Sequence, residues 1–151
     1  MNHHPILAFG AARNADGSVT LRPGDAGLQQ AYGSQNPLLL PPRIKLMLSG
    51  HIHAWEQLSF SSAHPSQFVA GIAGTSEEIA PLPATLPPGL SPAPGAIVEH
   101  FSSWVGGFGF MTLERSGPEQ WQVTLWNAHG EIKNSCTVDG SKSQCALAQV
   151  K

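Results

Sequence analysis

Charge is scarce in this chain of 151 residues: only 12% are charged, where a globular protein usually carries about a quarter. Eight Lys and Arg against ten Asp and Glu leave a net charge of -2, so no basic face for nucleic acid is expected. No apolar run approaches the roughly 18 to 20 residues that would span a bilayer. Met1-Asn2-His3-His4-Pro5 has neither a basic nor an apolar stretch, so no signal peptide is expected in this chain. Two things are plentiful. Sixteen Gly and thirteen Pro disfavour a helix bundle and favour strands joined by turns. A hydrophobic share of 41%, with four Trp, supplies a core for one domain.

The pattern along the chain is mostly extended. Ile6 to Phe9 reads as buried. Residues 10–24 are small and polar, with turn signals at Asp16-Gly17 and Pro23-Gly24. Asp25 is placed to N-cap a short helix through Leu28 to Tyr32, ended by Gly33. Ile44 to Leu48 reads as a buried strand running into Ser49-Gly50. Trp55 to Phe60 and Gln67 to Ile72 form a predicted strand pair. Residues 81–96 hold six prolines and are expected as an extended surface insertion. Phe108 to Glu114 is a further strand. Trp121, Val123 and Leu125 alternate with polar residues as in a half-buried strand, and Glu131 to Cys136 follows.

The two cysteines, Cys136 and Cys145, flank Asp139-Gly140, a tight-turn dipeptide. A hairpin closed by a disulfide is the expectation, which points to a periplasmic or secreted parent protein. Two free thiols in a reducing compartment is the alternative.

Seven histidines stand out in so uncharged a chain, and four of them fall in two motifs. One is His3-His4-Pro5. The other is Gly50-His51-Ile52-His53, directly after a predicted strand. Neutral imidazole is the commonest metal ligand, and two His at i and i+2 project to one side of an extended chain. Leu46 to Glu56, read with His3-His4-Pro5 about fifty residues earlier, resembles the last two signatures of the calcineurin-like metallophosphoesterases, including the purple acid phosphatases. Phe68 to Thr75 is similar to the strand and Gly-rich turn that follow in that family.

The resemblance implies the C-terminal half of a two-sheet β-sandwich with flanking helices, α+β by family and β-rich by content, holding mostly one sheet. The resemblance covers residues 1 to about 75 well and extends less specifically through Gly107 to Gly130; residues 1–151 are expected to form one partial domain of this kind. The resemblance has a functional side as well. It implies a dinuclear metal hydrolase of phosphomonoesters or phosphodiesters, its ions being Fe, Zn or Mn. His3 and His51 would ligate one ion and His53 the other. His4 occupies the variable position between His3 and Pro5, with a packing or hydrogen-bonding role. The earlier blocks of the family, Asp-x-His, Gly-Asp-x-x-Asp and Gly-Asn-His, are absent from the sequence. The chain is therefore expected to be inactive alone, its parent acting on a small phosphate ester.

None of the carboxylates is assigned as a replacement ligand. Asp16 belongs to a turn, Asp25 to a helix cap, and Glu77 and Glu78 to a solvated turn. Trp55 reads as a strand residue and Glu56 as its solvated neighbour. His64, His100 and His129 read as surface residues. A competing expectation is a catalytically inert β-rich binding or structural module whose histidines are incidental.

Overall fold

The structure, a computed structural model, describes residues 1–74, 76, 80 and 82–147. It is β-rich, 45% strand and 6% helix, in several sheets. The alternation of apolar and polar residues becomes a first mixed sheet of four strands in the order β3-β5-β4-β6. These are Leu46–Ser49 (β3), Trp55–Phe60 (β4), Ser66–Ala70 (β5) and Val98–Trp104 (β6). β3 runs parallel to β5, and β4 pairs antiparallel with β5 and β6. The second sheet is an antiparallel meander of Gly109–Gly117 (β7), Gln120–Asn127 (β8), Ile132–Asp139 (β9) and Lys142–Leu147 (β10). The chain thus builds two four-stranded sheets rather than mostly one, because each successive strand from β7 onward has a short turn that folds it onto its predecessor.

Every residue of β4 is buried, which places this strand between two apolar clusters. Trp55 joins Phe68, Ile72, Val123, Leu125, Cys136 and Val138 between the two sheets. Leu58 and Phe60 face the opposite cluster, with Ile6 to Phe9, Leu39, Leu40 and Met47. The Pro-rich segment has no helix or strand among its described residues, since proline lacks the N–H both require. It also lies on the core: Leu82, Pro92, Ala93 and Ala96 are buried.

Residues 10–24 fold into a hairpin that their composition did not announce: Phe9–Arg13 (β1) against Val19–Pro23 (β2). Gly17 turns it at φ 85°, and Asp16 Oδ1 accepts from the Ser18 backbone N–H at 2.9 Å. The single helix among the described residues, Ala26–Gly33 (α1), begins as expected, with Asp25 Oδ1 accepting from the Leu28 N–H at 2.9 Å. Gly140 turns β9 into β10 at φ 55°, which sets Cys136 opposite Cys145; the two form a disulfide.

Candidate metal centre

Two extended segments carry the histidine motifs to one place. Asn2 bridges to Ser49 in parallel, so the start of the chain lies alongside β3. Asn2 N–H donates to the Leu48 carbonyl at 3.2 Å, and Gly50 N–H donates to the His3 carbonyl at 3.2 Å. Ser49 Oγ, donating to Asn2 Oδ1 at 3.0 Å, adds a side-chain tie. Both motifs therefore leave the sheet at the same end, the carboxyl end of parallel strands, where open sheets commonly place ligands.

His3 Nε2 and His51 Nδ1 then stand 3.3 Å apart. The His4 ring lies over that of His51, centroids 3.8 Å apart. One nitrogen from each of His3, His4 and His51 falls within 4.8 Å of the others, and all three side chains are exposed. The backbone explains why His4 joins. The chain bends at His3-His4 instead of staying extended, so adjacent side chains converge. Nothing in two consecutive histidines distinguishes that bend from a straight strand, where they would point apart.

His53 lies outside this group of three. Its Nδ1 shares a 2.6 Å hydrogen bond with Ser76 Oγ. Projection of i and i+2 to one side requires an extended chain, and residues 51–54 bend, with His51 at φ 67°. The bend is held from beneath by Gly71. A Cβ there would meet the Ile52 carbonyl oxygen at 1.8 Å, so only glycine permits this approach.

The electrostatics suit a neutral ligand. The His51 imidazole is held below the usual histidine range by desolvation first, then by His4, His3 and His53; Asp25 opposes them. Asp25 Oδ2 stands 3.5 Å from His4 Nδ1 while Oδ1 caps α1. The three imidazoles fit one ion with room for further donors. Among the described residues no carboxylate belongs to the group, so a bridged second ion does not fit what these residues provide.

Glu56 and His64, which the sequence reads as solvent-facing, lie inside the fold. Glu56 is fully buried, not solvated, because β4 is covered on both faces. Its Oε2 accepts from the Phe9 N–H at 3.0 Å, and Oε1 has no partner among the described residues. Burial pushes its carboxyl up to about 8 against the opposing pull of the Phe9 N–H, so it keeps its proton at neutral pH. His64 is likewise buried, with Nδ1 3.0 Å from Ser62 Oγ, and burial pushes it down. Trp55 is the expected strand residue; its Nε1 donates to Met111 Sδ at 3.4 Å. His100 is half-buried on β6 and His129 exposed in a turn. Glu77, Glu78 and Thr75 lie outside the described residues.

Comparison with models of known protein families, with curated proteins and with solved structures finds no match.

Proposed function

We propose that this chain contributes the histidine side of a metal centre for hydrolysis of phosphate esters, in the manner of the metallophosphoesterases it resembles. The observation that supports the reading most is the 3.3 Å approach of His3 to His51, delivered by two parallel segments 48 residues apart. Incidental surface histidines have no reason to be carried to the ends of paired segments, nor to be joined there by a third.

In this reading His3, His4 and His51 hold one ion, with Fe, Zn or Mn all acceptable to imidazole. Such an ion, when bound, activates water and polarises a phosphoryl oxygen. The chain's own share is to hold the three rings oriented and to disfavour the charged form of His51. Asp25 orients His4 from its place at the helix cap. Carboxylate and asparagine donors for a second ion would come from the Asp-x-His, Gly-Asp-x-x-Asp and Gly-Asn-His blocks, so residues 1–151 alone are expected to show background turnover.

The test has two parts. Calorimetric titration with Zn²⁺ or Mn²⁺ should give one ion per chain, lost in His51→Ala; unchanged binding by that variant sinks the metal reading. A longer chain with the three blocks ahead of Met1 should turn over p-nitrophenyl phosphate or bis(p-nitrophenyl) phosphate. If that longer chain folds, binds metal and still leaves both esters intact, the phosphoesterase reading fails.

A further inference from the structure

A cavity of about 300 Å³ opens beside the histidines, with His4 and His51 on one wall and Gly10, Arg22 and Asp25 on another. A larger one, about 500 Å³, lies between β6 and the Pro-rich segment and touches none of the three metal-site histidines. The smaller cavity thus has the chemistry, whatever its size.

Its wall is shaped by the β1–β2 hairpin. Gly10 and Arg22 are directly opposite in the register. Opposed residues project to the same face, so a side chain at Gly10 would stand beside the guanidinium. Instead there is open space: a Cβ built on Gly10 meets nothing within 4 Å. Arg22 is exposed and has no hydrogen-bond or ion-pair partner among the described residues. The other charge in the wall, Asp25, is already engaged by the Leu28 N–H and by His4. An unengaged guanidinium is a planar fork of donors, matched to phosphoryl oxygens. Pro5, Pro23 and Ile52 make part of the remaining lining apolar.

We propose that this cavity seats a small phosphomonoester, with Arg22 binding its phosphoryl oxygens and the open space at Gly10 taking its ester group. The identity of the ligand rests on the phosphate-ester reading above; the cavity's geometry does not. A volume near 300 Å³ is at the small end of ligand pockets, which favours a monoester over a diester with two bulky groups.

Binding can be read without turnover. Phenyl phosphate and bis(p-nitrophenyl) phosphate are titrated calorimetrically into the full chain, with and without Zn²⁺. Wild type should bind phenyl phosphate and not the diester. Arg22→Gln should weaken phenyl phosphate by roughly tenfold or more, with Arg22→Lys between the two, since lysine keeps the charge and loses the fork. Gly10→Val, whose Cβ meets nothing within 4 Å, places its methyls in the space and should weaken it as much, with unaltered circular dichroism. All three variants should bind Zn²⁺ as wild type does. Phenyl phosphate binding equal in wild type, Arg22→Gln and Gly10→Val overturns the proposal, as does equal binding of the diester or no binding under either condition. Zn²⁺ binding without phenyl phosphate binding refutes the cavity and leaves the metal reading standing. Arg22-dependent phenyl phosphate binding without Zn²⁺ binding does the reverse.

Discussion

The nitrogen Nε2 of His3 faces Nδ1 of His51 at 3.3 Å, across a parallel pairing that makes the first residues of the chain a neighbour of β3. Two imidazoles so close repel when both are protonated and are joined when both donate lone pairs to one ion.

The three-ring geometry sets a rank order for metal binding. His51→Ala and His3→Ala should each weaken Zn²⁺ by more than the roughly 10- to 100-fold that loss of an outer partner costs. His4→Ala should do likewise, and His53→Ala should do less, since His53 stands outside the group. Competition titration against a chromophoric chelator measures all four. His53→Ala as damaging as His51→Ala would mean that the ion sits elsewhere.

The backbone at His51 separates stability from binding. Its φ of 67° suits glycine better than any residue with a Cβ. His51→Gly should therefore be more stable than His51→Ala by about 1 kcal/mol, while both lose the imidazole. Urea unfolding of the two variants side by side checks this; equal midpoints would place no strain at His51.

Glu56 predicts an unusual pH dependence. Its folded value, about 8, lies above the ordinary 4.5, so between these limits the unfolded chain is ionised while the folded chain holds its proton. Stability is then fully present below the lower limit and falls as pH rises, by up to about 1.4 kcal/mol per unit, levelling off above the upper one. Glu56→Gln should flatten the profile and be the more stable protein at the alkaline end. Urea midpoints across that range decide it, and a wild-type curve as flat as the variant's would refute the burial argument.

The Cys136–Cys145 bond closes a short loop between positions nine apart. Reduction should lower stability by about 2–3 kcal/mol, from restored freedom in the unfolded chain. Unfolding with and without dithiothreitol measures the difference; an effect below 0.5 kcal/mol would show that the turn at Gly140 alone fixes the hairpin.

Local chemistry made much of this fold readable. Asp25 had to cap something, Trp121-Val123-Leu125 alternated, and Asp139-Gly140 announced a turn. The β1–β2 hairpin was hidden because Gly10, Ala11 and Ala12 are too small to show an apolar period, leaving only Asp16-Gly17 as a sign. Glu56 was hidden for the opposite reason. On a strand covered on both faces the alternation that separates inside from outside disappears. At the site, the proximity of His3 and His51 came from motif order. The arrival of His4 depended on a bend, and the exposed Arg22 had no local signal at all.

The parallel tie between Asn2 and Ser49 also implies an order of events during folding. A contact between segments so far apart in the chain must wait for loop closure, and parallel pairing is among the slower contacts to form. The β7–β10 meander needs only short turns and has no such wait. Metal affinity would therefore be a late-acquired property, emerging only when the chain's first residues dock. An ion offered to the nascent or partly folded chain would meet scattered imidazoles rather than a site.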